Sequence, residues 1–450
     1  MIKSINPYTG NLIKSYKSHS SNYIDNVINS SVEEFDRWKK TSFKERKAVL
    51  LDMALGLKKN LEKHATMISI EMGKPISESR LEISKCVSVL KFYSENGEKF
   101  LQDKNIKTEY SDSFIKYEPL GLILGVMPWN FPYWQVFRFI APALMAGNVC
   151  LLKHASNVTG CSLLIESLVK DSSDFKNIFN SLIISSGMVE NVIKNENVKA
   201  VSFTGSEKAG SDVAMKAGKE IKKTVLELGG SDPFIVLEDA DINKAAKTGV
   251  AARFLNTGQS CIAAKRFFVH AGIYDKFISE VIKNISNLKV GDPLNDETDI
   301  GPLAKQKFAD ELESLVQSSI SKGAKCLIGG KKNKFYFHPT LLVDINENMD
   351  VFKYETFGPI FCITKIQSID EAIDLANNTI YGLGGSIWTS DIEKGKKIAD
   401  KIHTGMVFIN EMTKSDPRLP FGGIKKSGYG VELSELGIKE FVNIKSIVVN

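Results

Sequence analysis

The middle third of the chain alternates short apolar runs with segments of helical periodicity, and this pattern restricts the fold more than any other. Strands are predicted at 120–126, 149–153, 178–184 and 200–203, and helices at 133–146, at 158–170, from 188 and from 207. Such alternation is typical of a parallel, doubly wound sheet covered by helices. Ligands of these sheets bind beyond the carboxyl ends of the strands. The sequence therefore predicts an α/β fold with a ligand site in those loops.

The regions that flank this core have different patterns. Apolar residues recur at helical spacing from Asp25 to about Glu98, with a Gly-Lys-Pro break at 73–75. Residues 104–117 and 441–449 instead alternate polar with apolar side chains, as exposed strands do. Strands of this kind need a partner edge, so we interpret them as an oligomerisation flap.

Composition excludes several classes of protein. The chain has 450 residues, 43% of them hydrophobic, which is enough for two or three domains. A net charge of +5 on 25% charged residues is too balanced to predict binding to nucleic acid or to an anionic membrane. The six cysteines lack CxxC spacing, and no apolar run has the length of a signal peptide or a membrane span. We expect a cytoplasmic protein without a metal site.

A carboxylate and a lone cysteine lie at the two ends of the stretch from Glu227 to Cys261. Glu227 stands before a Gly-Gly turn, and Cys261 follows Gly-Gln-Ser. A free thiol has a pKa of roughly 8.5 and needs a base or a positive dipole to become a nucleophile at neutral pH. Glu227 is a candidate for that base, although a lone cysteine also occurs as a small buried apolar residue.

A strand and a helix connect these two residues. The strand is predicted at 233–238, and Asp239 or Asp241 is the predicted N-cap of the helix. The apolar face of the helix is predicted to consist of Ala245, Ala246, Val250, Ala251 and Phe254. A unit of this kind can return Cys261 towards Glu227.

The nucleotide-binding signals are weak when taken alone. The chain contains no GxGxxG, and Gly205 to Gly210 has the glycine spacing of a P-loop without the following Lys-Ser/Thr. What remains is Gly205 and Ser206 at a predicted helix start. These residues suit either an anion site or a plain helix cap.

Taken in order, the motifs of this chain resemble those of the aldehyde dehydrogenase superfamily. They are PWNFP (128–132), Lys153, FTGS (203–206), ELGG (227–230), GQSC (258–261), ETFGP (355–359) and PFGG (420–423) with Lys425, Ser427 and Gly428. The similarity runs from about Ile5 to the C-terminus. In detail, KHASNV (153–158) and GGSDPFIVLEDAD (229–241) look most like short bacterial succinate-semialdehyde dehydrogenases.

The resemblance implies a particular domain organisation. A Rossmann-type dinucleotide-binding domain would comprise residues 1–103 and 120–227, and an α/β catalytic domain residues 228–433. The small β oligomerisation flap would comprise residues 104–119 and 434–450. Members with this organisation are expected to form a homodimer or a homotetramer.

The resemblance also implies the roles of individual residues. Cys261 would be the nucleophile, Glu227 the general base, and Asn130 would form the oxyanion hole with the backbone N–H of Cys261. The dinucleotide would contact Trp129, Lys153, Ser156, Gly205, Ser206, Leu228, Glu355 and Phe357. The thiolate would add to an aldehyde, hydride transfer would leave a thioester, and Glu227 would activate the water that hydrolyses it.

Substrate and cofactor preference depend on fewer residues. Arg138 suits a substrate carboxylate, as in succinate semialdehyde, although it could instead cap a helix or pair with a surface acid. A second arginine of some relatives is replaced by Leu255, so Ser260 and Ser415 would assist Arg138, or the substrate would be another semialdehyde or an aliphatic aldehyde. A relative that transfers the acyl group to CoA would not need Glu227 as a base, so the presence of ELGG argues against that alternative.

Ser156 stands where NAD-selective members of the superfamily often carry Glu. A serine does not repel the 2′-phosphate of NADP, and Lys153 supplies a cation nearby, so we expect NADP to be preferred and NAD to be accepted. The chain departs from the family's final GxGRE pattern, because residues 428–432 read GYGVE and contain no arginine. We interpret this tail as structural.

Overall fold

The computed structural model describes all residues, 1–450. It begins with a β-hairpin followed by four helices: β1 (Ile2–Ile5), β2 (Leu12–Tyr16), α1 (Ser21–Trp38), α2 (Phe43–Lys59), α3 (Leu61–Met72) and α4 (Ile76–Phe100). The predicted helical region is thus confirmed. Its break is also confirmed, since α3 ends at Gly73, whose φ of 85° is left-handed and favours glycine, and α4 begins directly after Pro75.

The next part of the chain forms most of the first large sheet. Its elements are β3 (Lys104–Asn105), β4 (Asp112–Pro119), β5 (Leu122–Met127), α5 (Trp134–Met145), β6 (Val149–His154), α6 (Thr159–Asp171), β7 (Phe179–Ser181), α7 (Val189–Lys194), β8 (Val198–Thr204), α8 (Glu207–Lys219) and β9 (Lys223–Glu227). The parallel order β9-β8-β5-β6-β7 confirms the doubly wound pattern. The strand predicted at 178–184 is too long, because a tight turn in which Ile184 N donates to Leu182 O ends it early.

The rest of the chain contributes the second large sheet, a short two-stranded hairpin, an edge strand of the first sheet and the C-terminal strand. Its elements are β10 (Asp232–Val236), α9 (Ile242–Phe254), β11 (Ala264–His270), α10 (Tyr274–Ser286), α11 (Gln306–Ser321), β12 (Lys325–Ile328), β13 (Lys332–Asn333), β14 (Tyr336–Phe337), β15 (Thr340–Val343), α12 (Asp350–Lys353), β16 (Ile360–Ile366), α13 (Ile369–Asn377), β17 (Ser386–Trp388), α14 (Ile392–Ala399), β18 (Phe408–Ile409), β19 (Gly428–Tyr429), α15 (Ser434–Ile438) and β20 (Val442–Val449). The second sheet has the order β12-β15-β16-β11-β10-β17-β18, and all its pairings are parallel except that of β12.

Helix α9 begins as predicted and differs at one position of its apolar face. Asp241 is the N-cap, and its carboxylate accepts a hydrogen bond from Lys244 N at 3.0 Å. The prediction for Ala251 is wrong, because this residue is exposed and Ala252 is buried in its place. Consecutive helix positions differ by about 100° around the axis, so Ala251 points away from the face that carries Val250.

Each large sheet has its own hydrophobic core. One cluster of 62 buried residues joins the N-terminal helices to the first sheet. The second sheet separates two clusters of 23 and 21 residues, and the alternation along β10 places Ile235 in one cluster and Phe234 and Val236 in the other. None of the helices combines the length and the apolar character that a membrane-spanning segment requires.

The two strands predicted as a flap pair with each other. Strands β4 and β20 run antiparallel from Pro119 opposite Val442 to Asp112 opposite Val449, and β3 lies on the other side of β4. Strand β19 comes from the stretch 228–433 but pairs with β9, where it is an antiparallel edge of the first sheet. The division into three domains remains a prediction.

Candidate active site

A cavity of about 430 Å³ lies beyond the carboxyl ends of β5, β8 and β9, where the sheet topology places a ligand site. It is lined by Pro128, Trp129, Asn130, Gln135, Thr204, Gly205, Ser206, Leu228, Gly229, Cys261, Lys307, Phe308, Glu311, Glu355 and Phe357. The structure therefore brings the predicted nucleophile and the predicted oxyanion-hole residue into one cavity with most of the predicted cofactor residues.

The remaining predicted site residues do not line this cavity. They are Glu227, Lys153, Ser156, Arg138, Ser260 and Ser415. Conversely, sequence reasoning missed Lys307, Phe308 and Glu311 at the start of α11. Phe308 stacks on Trp129 with the ring centroids 5.1 Å apart. No local motif marks this helix, so only the packing of α11 against the loop after β5 reveals these residues.

The nucleophile loop has a strained backbone that places Cys261 at the cavity. Asn256 and Thr257 have left-handed φ angles of 54° and 55°, although neither is glycine. Such conformations cost on the order of 1 kcal/mol or more per residue and persist only where surrounding contacts enforce them. One such contact comes from helix α4, where Glu78 Oε2 accepts a hydrogen bond from Asn256 N at 2.7 Å.

Lys265 holds the other end of this loop. Its side chain is 1% exposed, and its Nζ donates to Cys261 O at 2.7 Å and to Ser260 O at 3.0 Å. The same ammonium forms an ion pair with Glu355 Oε1 at 3.1 Å. Lys265 therefore links the loop of the predicted nucleophile to a predicted cofactor residue, and the sequence pattern did not identify it.

The two glycines of ELGG allow this close approach. A Cβ atom at Gly229 would lie 2.6 Å from Glu355 Oε2, and one at Gly230 would lie 2.7 Å from Cys261 O. Gly230 N also donates to Glu355 Oε1 at 3.1 Å. A side chain at Gly230 would push against the backbone of Cys261, which gives a physical reason for pairing ELGG with GQSC. A side chain at Gly229 would displace the carboxylate of Glu355.

The amide of Asn130 has a fixed orientation. Gln135 Nε2 donates to Asn130 Oδ1 at 3.0 Å, and Asn130 Nδ2 donates to Gln259 O at 3.0 Å. Asn256 Nδ2 donates to Asn130 O at 2.7 Å. Because an amide NH₂ carries two donors, the second N–H of Asn130 stays available to a developing negative charge.

Two acidic residues of α4 support both walls of the cavity. Glu82 Oε1 accepts hydrogen bonds from Tyr133 N at 2.8 Å and Trp134 N at 2.9 Å, at the start of the helix that follows Asn130. Its other oxygen forms a short, fully buried ion pair with Lys74. Glu78 contacts the nucleophile loop, as described above, and burial raises its pKa to about 7 against the opposing charge of Lys74.

Burial raises the pKa of both the predicted nucleophile and the predicted base. Burial raises the pKa of the Cys261 thiol to about 12, although the charges of Arg138 and Lys265 act in the opposite direction. Burial also raises the pKa of Glu227 well above its ordinary value. Neither carboxyl oxygen of Glu227 has a hydrogen-bond partner within the chain. The Cys261 thiol must therefore lose a proton before it can act as the nucleophile.

Arg138 lies next to these groups in a buried ion pair. Its Nε pairs with Glu432, its Nη2 donates to Thr204 Oγ1 at 3.4 Å, and the guanidinium lies 4.4 Å from the centroid of the Phe421 ring. The acid that it pairs with is buried rather than at the surface. Glu432 belongs to the GYGVE tail, so this tail supplies the ion-pair partner of Arg138.

The predicted serines occupy separate positions. The hydroxyl of Ser260 is buried and has no hydrogen-bond partner within the chain. Ser415 Oγ accepts a hydrogen bond from Lys85 Nζ at 2.6 Å. Ser156 is exposed in the short turn after β6, in which its carbonyl accepts from Thr159 Oγ1 at 2.8 Å.

The cavity contains hydrogen-bonding groups and apolar surface that suit a dinucleotide. Ser206 is the N-cap of α8 and Gly205 precedes it, so free backbone N–H groups and the positive end of a helix face one wall. Trp129, Leu228 and Phe357 supply apolar surface. Glu355 Oε2 makes no hydrogen bond within the chain and is available to a sugar hydroxyl. No cluster of three or more His, Cys, Asp or Glu side chains is arranged to hold a metal ion.

Comparison with known proteins identifies the family. The sequence matches the family described as "Aldehyde dehydrogenase family" over residues 1–447, and the chain belongs to this family. It is 45% identical over 449 residues to a probable NADP(+) succinate-semialdehyde dehydrogenase of Synechocystis sp., with 99% of both chains covered. It is 44% identical to the NADP(+) succinate-semialdehyde dehydrogenase 1 of Mycobacterium bovis, again with 99% of both chains covered.

Solved structures agree with this assignment. The fold is similar to that of succinic semialdehyde dehydrogenase from Streptococcus pyogenes in complex with NADP+, with a TM-score of 0.97, 36% identity and all of both chains covered. The predicted resemblance to aldehyde dehydrogenases and the predicted α/β fold class are therefore confirmed.

Proposed function

We propose that this chain oxidises succinate semialdehyde to succinate, with NADP as the preferred cofactor and NAD as an accepted one. The observation that carries the proposal is the cavity in which the Cys261 thiol and the oriented Asn130 amide meet the residues suited to a dinucleotide. The similar proteins of Synechocystis, Mycobacterium and Streptococcus are named for this substrate, and we assign it to this chain because of that similarity.

Cys261 forms the covalent intermediate in the proposed reaction. Its thiolate adds to the aldehyde carbon, and Asn130 Nδ2 with the backbone N–H of Cys261 stabilises the oxyanion of the thiohemiacetal. Removal of one such donor typically costs on the order of a hundredfold in rate. A nicotinamide dinucleotide held by the cavity residues would supply the hydride acceptor, and Cys261 would then carry the thioester. Lys265 and Glu78 keep the nucleophile loop in place while the carbonyl changes geometry.

Glu227 serves the second half of the reaction. A base is needed to deprotonate the water that attacks the thioester, and Glu227 is the carboxyl closest in sequence to the cavity residues Leu228 and Gly229. The charge of Arg138 lowers the pKa of Glu227, against the larger effect of burial. A hydrolytic base is unnecessary for transfer to CoA, so the presence of Glu227 favours release of the acid.

The proposed preference for NADP is based on two residues at the end of β6 and just after it. Ser156 carries no negative charge that would repel a 2′-phosphate, and Lys153 forms no salt bridge within the chain. Burial lowers the pKa of Lys153, and the neighbouring cation of Lys305 lowers it further. Two neighbouring lysines without an acidic partner suit a phosphate group.

A single assay tests the proposed function against its alternatives. Pure protein is incubated with aldehyde and NADP or NAD, with and without CoA, and absorbance at 340 nm is followed. We expect the highest kcat/KM with succinate semialdehyde and NADP, and no requirement for CoA. A preference for another semialdehyde or for an aliphatic aldehyde would replace the proposed substrate. A strict requirement for CoA would replace hydrolysis by acyl transfer. Loss of turnover in Cys261→Ala assigns the nucleophile.

We also propose that the protein forms a homodimer or a homotetramer in the cytoplasm. The outer edge of β20 has no partner strand in the chain, and Ile444, Val448 and Val449 are exposed on it. An apolar edge strand of this kind favours pairing with a second copy. All six cysteines are free, which suits a reducing compartment. Light scattering coupled to gel filtration gives the oligomer mass, and a monomer would contradict the proposal.

A further inference from the structure

A lysine without an acidic partner lies beside Arg138. Lys85 is half-buried on α4, and it forms no salt bridge within the chain. Its Nζ donates to Ser415 Oγ at 2.6 Å and lies 4.3 Å from the centroid of the Trp134 ring. Trp134 and Arg138 are four positions apart on α5, so both side chains lie on the same side of that helix.

The acids near Lys85 are already paired with other cations. Glu82 pairs with Lys74, and Asp416 accepts two hydrogen bonds from Arg418 at 2.9 and 2.6 Å. Lys85 therefore adds a positive charge next to Arg138 that no side chain of the protein neutralises. A partly buried ammonium is costly unless an anion accompanies it, which indicates that the anion comes from a ligand.

The location links this charge to the reaction. Gln135 lines the cavity and follows Trp134, over whose ring Lys85 lies. Arg138 Nη2 donates to Thr204 Oγ1, and Thr204 also lines the cavity. Both cations therefore lie next to residues that form the cavity wall. Arg138 Nη1 makes no hydrogen bond within the chain, and two of the three donors of Lys85 are unused. Free donors on both cations suit a carboxylate.

We propose that Lys85 determines substrate specificity as the second cation of a carboxylate subsite, in which its ammonium and the Arg138 guanidinium bind the terminal carboxylate of the aldehyde. The inference rests on the proposed function and deepens it. Ser415 Oγ, which accepts a hydrogen bond from Lys85 Nζ, holds the ammonium in position.

The test compares a carboxylate substrate with a neutral one. In Lys85→Met, which retains an apolar side chain of similar length against Trp134, we expect the ratio of kcat/KM for succinate semialdehyde over butanal to fall about ten- to a hundredfold. Lys85→Arg should retain most of the ratio, because it keeps the charge. Lys91→Met removes an exposed lysine from the same helix and should leave the ratio at the wild-type value.

Product inhibition gives a readout independent of turnover of the aldehyde. Succinate should inhibit the wild type more strongly than butyrate, and Lys85→Met should raise the inhibition constant of succinate at least about tenfold while changing that of butyrate much less. A variant that keeps the wild-type ratio of kcat/KM and the wild-type inhibition by succinate would overturn the inference.

The wild type supplies a further test through pH. Burial lowers the pKa of Lys85 to about 8, and the positive charge of Arg138 contributes. The other facing groups keep their charge near this pH, because Arg418 holds the pKa of Asp416 at about 2 and burial raises the pKa of Cys86 far above 9. The ammonium is thus charged below pH 8 and neutral above it, so the ratio should fall as the pH rises through 8. Titration of Cys261 or Glu227 affects both aldehydes and cancels in the ratio. A ratio that stays constant contradicts the role of Lys85.

The outcomes separate this inference from the proposed function. A wild type that shows no preference for succinate semialdehyde over butanal refutes the proposed substrate. A wild type with that preference whose Lys85→Met variant keeps it refutes the inference alone.

Discussion

The buried ion pair between Lys74 and Glu82 offers a sharp test of how α4 supports the active site. The two side chains are 1% and 2% exposed, and Glu82 also accepts the backbone N–H groups of Tyr133 and Trp134. In Lys74→Met the carboxylate of Glu82 stays buried without its cation. We therefore expect this substitution to destabilise the fold and to loosen the loop that carries Asn130.

The contacts of Lys74 determine how much free energy of unfolding this substitution should remove. Removal of one partner of a buried ion pair typically costs about 3–5 kcal/mol of the free energy of unfolding. The two backbone donors remain at 2.8 and 2.9 Å from Glu82, but Lys74 Nζ also loses its contact 3.9 Å from the centroid of the Phe131 ring. Such a desolvated cation–π contact contributes on the order of 2 kcal/mol. The two retained backbone hydrogen bonds reduce the cost of the unpaired carboxylate and so offset the lost cation–π contact. We therefore expect a loss of about 3–5 kcal/mol, out of a total of roughly 5–15 kcal/mol.

Urea unfolding followed by tryptophan fluorescence measures this loss as a shift of the midpoint at constant slope. The matched control is Lys91→Met, an exposed lysine on the same helix, which should change the free energy of unfolding by no more than about 0.5 kcal/mol. Because Asn130 lies on the loop that Glu82 holds, kcat of the folded variant should also fall, by about tenfold or more.

A double-mutant cycle decides whether the ion pair is the cause. The double variant Lys74→Met/Glu82→Gln has no buried charge at this site, and the amide oxygen of glutamine can still accept the two backbone N–H groups. It should therefore be more stable than Lys74→Met alone, with a coupling energy of at least about 1.5 kcal/mol. Strictly additive losses would refute the reasoning.

The remaining predictions concern the chemistry of the site. Glu227→Gln should give a burst of reduced cofactor equal to the enzyme concentration and then a turnover slowed by about a hundredfold or more, as measured by stopped flow; turnover at the wild-type rate would exclude Glu227 as the base. Glu432→Gln removes a negative charge that raises the pKa of Glu227, so the acidic limb of the pH profile for thioester hydrolysis should move to lower pH, and an upward shift would contradict this coupling. Ser156→Glu should move the ratio of kcat/KM for NADP over NAD towards NAD by about tenfold or more, and an unchanged ratio would show that Ser156 does not contact the ribose.

Local patterns of the sequence predicted the elements and the principal chemical groups. The strand-helix alternation gave the first sheet, and the break at 73–75 separated two helices as predicted. The paired motifs ELGG and GQSC indicated Glu227 and Cys261 as candidates, and the resemblance to aldehyde dehydrogenases implied the roles that remain predictions. The two glycines are visible in the sequence, but only the structure shows why they are needed, because a Cβ at Gly229 or Gly230 would meet Glu355 or Cys261.

The partners of these groups depended on the tertiary structure. Lys85 contacts Ser415 across 330 residues of sequence, and Glu78 contacts Asn256 across 178. Phe308 lines the cavity from a helix whose own pattern is that of an ordinary amphipathic segment. Periodicity reports which face of an element is buried, but it does not report which other element covers that face.

The pKa shifts and the ion pairs were likewise decided by the fold. Arg138 was identified from its position after Asn130, but its pairing with Glu432 follows from the return of the C-terminal segment to the edge of the first sheet at β19. The raised pKa values of Cys261 and Glu227 arise from burial by residues distant in sequence. Residue types and local periodicity are thus contained in the sequence itself, whereas desolvation and charge pairing exist only after distant segments have packed together.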